Sequence, residues 1–349
     1  MVILGIDAHK RTHTVAAIDD AGRQLGQKAT VATTTEAHLE LVRWADRFGP
    51  DRSWAVEDCR HLSRRLEADL IVGGERIVRV PPKLMAHARD AARTYGKSDP
   101  IDALAVARAA LREPALPVAR LDGPSRELRL LVDHREDLVR ERTGHINRLR
   151  WHLHELDPSW DPTPRSLVRY KQLDVLRARL EALEGMVARI ARDLVGRIRD
   201  LTVQANALEL EIVQRARSLT PSLLELAGVG GLTAAKLVAE VADVRRFRSK
   251  DAFARHNGTA PLPVWSANRV RHRLSRTGNR QINAAIHRVA ITQMRVHDGA
   301  KAYLERRLAS GNTKTEALRA LKRKLSDVIY RTLLADATLA MATGYGEAA

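Results

Sequence analysis

The stretch "GKSDPIDALAVARAA", residues 96–110, places Asp99 and Asp102 three positions apart at the start of a helical pattern. Residues so spaced share a helix face, and the pair carries two chemical meanings. One is a helix start, with Asp99 as N-cap, Pro100 at the first helical position and an acid in the first turn. The other is half of a metal site. Taken alone the spacing suits the cap, but Asp7 closes the apolar run "MVILGID" and Glu57 stands near the end of "SWAVED". If the strands carrying them are neighbours, four acids converge beside the helix. Carboxylates gathered in that way repel and raise one another's pKa, so the cluster makes sense when a divalent ion neutralises it. Hard oxygen donors suit Mg²⁺ or Mn²⁺, and a pair of such ions stabilises both the entering and the leaving oxygen of a phosphodiester exchange. Asp58 rivals Glu57, but strand neighbours point to opposite faces, so one of the two serves.

A second set of reactive groups lies far along the chain. In "NGTAPLPVWSANRVRHRLSRTGNRQINAAIHRVA" the hydroxyls of Ser266 and Ser275 stand among Arg269, Arg271, Arg273, Arg276 and Arg280. A serine attacks a phosphodiester when arginines stabilise the developing charge and its proton is removed. From spacing alone, phosphate contact by both serines is the simpler reading. "LAGVGGL" offers Gly228 and Gly230, whose backbone amides can approach a phosphate ahead of a helix; an ordinary structural corner explains the same residues nearly as well.

The elements that must position these groups fall in three stretches. Over residues 1–125 the order reads three strands ("MVILGIDAHK", "THTVAAIDDAG", "QKATVAT"), helix, strand, helix, strand, helix, an α/β unit complete by about residue 112. Thr33 and Glu36 have capping-box spacing before its first helix. Over 126–215 strands disappear. Leu173, Leu176, Leu180, Leu183, Val187, Ile190, Leu194, Ile198 and Leu201 alternate steps of three and four, with one departure at Ile190 to Leu194 to Ile198. That is a coiled-coil seam on a helix of about 40 residues, roughly 60 Å long, which needs a partner: either residues 128–156, with Arg135 and Arg142 in their seam, or another subunit. Residues 216–349 read as a mostly helical domain, with a helix-hairpin-helix around Gly228-Val229-Gly230.

Composition narrows the partners. Fifty-nine Lys and Arg against 42 Asp and Glu give a formal net charge of +17, and Ala252 to His297 contains eight arginines and no acid. Such a block is the electrostatic footprint of a polyanion-binding protein, because neutralised phosphates release counterions. One cysteine, Cys59, excludes an internal disulfide and a Cys-rich zinc site. No run nears the roughly 18 apolar residues of a membrane span, so a cytoplasmic, nucleoid-associated protein is expected.

The strand and helix order together with the acidic set resembles the RNase H-like fold in its RuvC-like form. Sugar kinases and actin-like ATPases have a related fold, but "GIDAHKRTH" has no glycine after Asp7 to hold a nucleotide phosphate. "GIDAHK", "AVED", "GKSDPIDALAVARAA", "LAGVGGLTAAKLVAEVADVRRFRS" and "GTAPLPVWSANRVRHRLSRTGNRQIN", in this order, resemble the DEDD transposases of the bacterial insertion-sequence family numbered one hundred and ten. The resemblance implies a recombinase with a RuvC-like domain, a coiled coil and a carboxy-terminal transposase domain. Its acidic tetrad falls on Asp7, Glu57, Asp99 and Asp102. Its nucleophilic serine falls on Ser266, although Ala267 replaces the usual glycine and leaves Ser275 as the second choice. It further implies Mg²⁺, homo-oligomers, double-stranded DNA at element ends and target, a structured noncoding bridge RNA in some members, and phosphoserine intermediates. Two other classes compete: a RuvC-like Holliday-junction endonuclease using metal-activated water, and a noncatalytic architectural DNA-binding protein.

Overall fold

The structure, a computed structural model, describes residues 1–58, 60–81, 84–85, 98–113, 116–121, 123–266, 269–273 and 278–342. The chain divides into two compact units, Met1–Leu121 and Asp122–Ala349.

The first unit is built on a five-stranded sheet in the order β3-β2-β1-β4-β5. Its elements are β1 (Val2–Ala8), β2 (His13–Ile18), β3 (Gln24–Ala29), α1 (Thr35–Ala45), β4 (Arg52–Glu57), α2 (Arg60–Val72), β5 (Ile77–Val80) and α3 (Asp99–Arg112). The first three strands pair antiparallel, and β1-β4-β5 pair parallel. The expected neighbours β1 and β4 are therefore adjacent, in a mixed order that agrees with the RNase H-like reading. Strand alternation sorts the core into two layers. Leu4, Ile6, Trp54 and Val56 pack with Leu41 of α1 and Leu66 and Leu70 of α2. Ile3, Ala55, Val78 and Val80 pack with Ala105, Val106, Ala107, Ala109 and Ala110 of α3. The alanine-rich face of α3 lets that helix lie close to the sheet.

Three local expectations are corrected here. Strand β3 starts at Gln24, earlier than the stretch "QKATVAT" implied, because Asp19 Oδ1 accepts from the Ala21 and Arg23 amides and closes the preceding turn at once. The side chain capping α1 is Thr34, which accepts from the Ala37 amide, not Thr33. The N-cap of α3 is Ser98; Asp99 is already helical, and its carboxylate is not spent on a cap.

The second unit contains α4 (Pro124–Leu156), α5 (Tyr170–Glu181), α6 (Met186–Leu219), the single turn α7 (Pro221–Leu224), α8 (Gly231–Val241), α9 (Lys250–His256), strands β6 (Leu262–Ser266) and β7 (Arg269–Arg273), α10 (Arg280–Val296), α11 (Asp298–Ala309) and α12 (Lys314–Ala342). The expected helix of about 40 residues is two helices, α5 and α6, broken at Gly185, whose φ of 99° no ordinary helix residue adopts. Leu173, Leu176 and Leu180 of α5 bury against Leu194 and Ile198 of α6 and Leu149 and Leu153 of α4, while Leu183 and Ile190, expected in the seam, are over a third exposed.

The partner of α6 is α4, within the chain. Arg135 reaches Glu209 at 2.5 Å, Arg142 donates to Thr202 Oγ1 at 3.3 Å and Arg215 to Glu127 at 2.6 Å, pairings whose rising and falling numbers make the helices antiparallel. Both seam arginines thus have acceptors across the interface. Lys236 of α8, 2% exposed, meets Glu136 at 2.9 Å and Asp133 at 3.5 Å on α4. A single core joins Leu128 and Val132 of α4, Ile212 and Ala216 of α6 and Ile286 and Ile329 farther on, running across the expected boundary at 215/216.

Strands β6 and β7 were not expected after residue 126. They form an antiparallel hairpin with Ser266 opposite Arg269. Among the described residues, no helix is long and apolar enough to cross a membrane.

Candidate active site

Alternation along β1 puts Gly5 and Asp7 on the side that receives α3, with Leu4 and Ile6 on the other. Gly5 sets how close the helix comes. A Cβ there would lie 2.3 Å from the Ala103 carbonyl oxygen and 2.4 Å from the Ala107 nitrogen, so a residue without one lets the backbones meet. The first turn of α3, with Asp99 and Asp102, is thereby delivered to the end of β1. Asp7 and Asp102 are buried, at 8% and 5% exposure, whereas Asp99 is open to solvent.

His9 ties the site together. Its Nε2 lies 3.0 Å from Asp7 Oδ2 and 3.3 Å from Asp99 Oδ1, and ligand atoms of Asp7, His9 and Asp99 all lie within 4.8 Å of one another. Burial is the main cause that pushes the Asp7 carboxyl above its ordinary range; the neighbouring His9 opposes the rise, and the Asp102 and Asp99 charges add to it. Three of the four expected acids therefore act on one another. Sequence reading gave His9 no role, although it stands two residues beyond Asp7, just past the end of β1.

Glu57 is the last residue of β4 and half-buried. The parallel register pairs Ile6 with Val56, so Asp7 and Glu57 occupy the same level on adjacent strands. Glu57 lies outside the close group formed by Asp7, His9 and Asp99. Its rival Asp58 follows the end of the strand and is exposed, its amide donating to the Val80 carbonyl at 3.0 Å. A buried carboxyl held above its ordinary range beside two further carboxylates is the donor set that a hard divalent cation relieves. Asp7, Asp99 and Asp102 thus suit such an ion, and Glu57 stands at the same level on the adjacent strand.

The second set of expected site residues lies in the second unit. Ser266 ends β6, and Arg269, Arg271 and Arg273 take alternate positions of β7. Ser275 and Arg276 lie outside the described residues. Arg280 opens α10, exposed, just after Asn279, whose side chain accepts from the Gln281 and Ile282 amides. The hairpin around Gly228 departs from the helix-hairpin-helix expected, since its first helix is the single turn Pro221–Leu224. Gly228, at φ 82°, sits against α10, where a Cβ would be 3.1 Å from the Val289 carbonyl. Packing accounts for that glycine. Gly230 precedes α8, with open space where its Cβ would be.

Residues 4–158 match the sequence profile DEDD_Tnp_IS110, described as "Transposase", and residues 221–305 match "Transposase IS116/IS110/IS902 family". The chain is 26% identical to the insertion element IS116 44.8 kDa protein of Streptomyces clavuligerus, over 95% of this chain and 94% of that one. It is 27% identical to the insertion element IS900 42 kDa protein of Mycobacterium paratuberculosis, over 94% of each. The solved structure of T. thermophilus RuvC in complex with a Holliday junction substrate matches 34% of this chain and 99% of that chain, at 18% identity and a TM-score of 0.27.

Proposed function

The chain belongs to the IS116/IS110/IS902 transposase family, and we propose that it excises and inserts its own mobile element by metal-dependent strand exchange through a phosphoserine intermediate. The observation that carries this reading is the convergence of Asp7, Asp99 and Asp102 at the end of β1. Asp7, Asp99 and Asp102, with Glu57 on the adjacent strand, hold Mg²⁺ or Mn²⁺. When bound, the metal supplies positive charge against a scissile phosphate and its displaced oxygen.

The remaining chemistry belongs to the chain. The Ser266 hydroxyl attacks phosphorus; an Oγ–P bond forms as the bond from phosphorus to a deoxyribose oxygen breaks, and the hydroxyl's proton ends on that leaving oxygen. Arg269, Arg271 and Arg273 stabilise the phosphorane-like charge, as preorganised cations do. Attack by the freed deoxyribose hydroxyl of a second strand on the serine ester reverses the step and joins new partners. Arg276, Arg280, Gly228 and Gly230 contribute backbone-phosphate contacts, with Gly228 the weakest member because its packing is already explained. We read three working parts in a chain that forms homo-oligomers: residues 1–125 for the acidic site, 126–215 as a helical coiled-coil region, and 216–349 for the serine and nucleic acid. In that assembly one subunit's acids serve another's serine. A structured RNA that pairs with donor and target DNA selects the sites, while the arginines hold backbone without reading sequence.

A second reading has one observation in its favour: the carboxylates of Asp7 and Asp99 and the His9 ring gathered at the end of β1 suit activation of a water nucleophile, as in a junction endonuclease. The two readings separate on one gel. Labelled element-end DNA, Mg²⁺ and RNA co-purified with the protein are incubated with the wild type, Ser266→Ala and Ser275→Ala. We expect a protein-linked DNA band that Ser266→Ala abolishes and Ser275→Ala retains. Cleavage by Ser266→Ala at the wild-type rate, with no protein-linked band in any sample, establishes the hydrolytic reading instead.

A further inference from the structure

A cavity of about 770 Å³ opens between the loop Gly258–Pro261 and helices α11 and α12. It is lined by Arg307, Arg319, Lys322 and Arg323, with Glu316 as its acid. Its volume falls in the range that holds a drug-sized ligand, room for a nucleotide with its phosphate.

The charges in it are unequally satisfied. Arg323 is neutralised by Asp251 and Asp327, and Lys324 lies over the Tyr303 ring, 4.5 Å from its centre. Lys322, half-buried, donates to the neutral Asn283 Oδ1 at 2.6 Å instead of to a carboxylate. Burial, and then the Arg319 charge, lower its pKa. Arg307 has a buried Nε without a hydrogen-bond partner, and so has the nearby Asn312 Oδ1. Glu316 Oε2 accepts from the Thr313 amide and hydroxyl, both at 2.9 Å, and its charge faces Arg319 and Arg307 without a hydrogen bond to either. The walls are fixed: Asn257 Oδ1 accepts from the Thr259 amide and hydroxyl, its Nδ2 donates to Ser326 Oγ, and Asn283 Nδ2 donates to the Asn257 carbonyl. Among the described residues no ion pair is formed by Arg307, Arg319 or Lys322, and a pocket whose cations lack a carboxylate partner is an anion site.

We propose that this pocket is a docking site for the phosphodiester backbone of a nucleic-acid strand, with Arg307, Arg319 and Lys322 as its phosphate ligands. The inference rests on the transposase reading for its ligand class. The loop that forms one wall runs directly into β6 and Ser266, so a phosphate held here sits on the same unit as the serine and is separated from it by a few residues of chain. Contacts from these side chains to phosphate oxygens carry no sequence information. Binding is therefore independent of sequence.

The test uses the full chain and fluorescence anisotropy with three labelled probes of one sequence: single-stranded DNA, duplex DNA and RNA. The proteins are the wild type, Arg319→Ala, Arg319→Ala with Lys322→Met, and a charge-matched control, Lys171→Ala with Arg189→Ala, both exposed positions on α5 and α6. We expect the double pocket variant to bind at least one probe about tenfold more weakly, with its salt slope reduced by about one to two, and the control to bind within about twofold of wild type. The probe that loses most identifies the strand. Arg319→Ala alone, at an exposed position, reports the same direction if the double variant does not fold. Equal affinity and salt slope for the pocket variants on all three probes overturn the pocket while leaving the transposase reading intact. A wild type that binds none of the probes overturns both.

Discussion

At the scale of single residues, the site is a set of charges held together against their preference. Asp7 is buried, and its carboxyl is raised because burial outweighs the help of His9, with Asp102 and Asp99 adding repulsion. The linkage follows. A carboxyl whose folded pKa lies above its unfolded value contributes to stability while protonated, and the contribution is lost as pH rises from the ordinary 3.8 through the raised value. Above that raised value and without metal, ionised Asp7 opposes folding. Asp7→Asn should therefore melt at a higher temperature than the wild type at pH 7.5 in EDTA, and the gap should shrink as pH falls toward 4. Adding Mg²⁺ should raise the melting temperature of the wild type and leave Asp7→Asn nearly unmoved, since an ion that binds the native state stabilises it by mass action. Thermal unfolding followed by circular dichroism checks both. A wild type indifferent to Mg²⁺ and Mn²⁺ would argue against a metal at these carboxylates.

At the scale of elements, two contacts set the geometry. Helix α3 reaches β1 because Gly5 has no Cβ; Gly5→Val forces the helix away and should cost about 1–3 kcal/mol as an overpacked core does, with loss of the Mg²⁺ response. Lys236 lies under α4 facing Asp133, Glu136 and Glu240. Lys236→Met leaves those acids without their buried cation and should destabilise the protein by about 3 kcal/mol, near the lower end for a broken buried pair because Asp133 and Glu136 keep some access to water. Urea unfolding measures both. The approach of Asp7, Asp99 and Asp102 was legible in the sequence because acids at a strand end and at a helix start have few structural uses together, while Glu57 stays outside the close group. His9 was not, because an exposed histidine just past a strand end has many. The break at Gly185 was hidden by the leucine spacing, which continues through Leu183 as though the helix did. Hairpin β6–β7 was hidden by its arginines, since "RVRHR" has too few apolar residues to show the alternation of a half-buried strand.

At the scale of the whole molecule, a net charge of +17 and a pocket lined by arginines and lysines describe a protein that meets polyanions. Its affinity for nonspecific duplex DNA should fall linearly with the logarithm of salt concentration, with a slope near 0.9 per phosphate neutralised, and should be unchanged by Asp102→Asn, which removes a buried charge and no cation. The account's central claim is that the carboxylates gathered at the end of β1 cut DNA. The most direct measurement is cleavage of labelled element-end DNA, with Mg²⁺ and co-purified RNA, by the wild type, Asp7→Asn and Asp102→Asn, each checked for folding by its melting curve. The account predicts Mg²⁺-dependent cleavage by the wild type and at least a hundredfold loss, about 2.7 kcal/mol of transition-state stabilisation, in both variants. Cleavage by folded Asp102→Asn at the wild-type rate would contradict it.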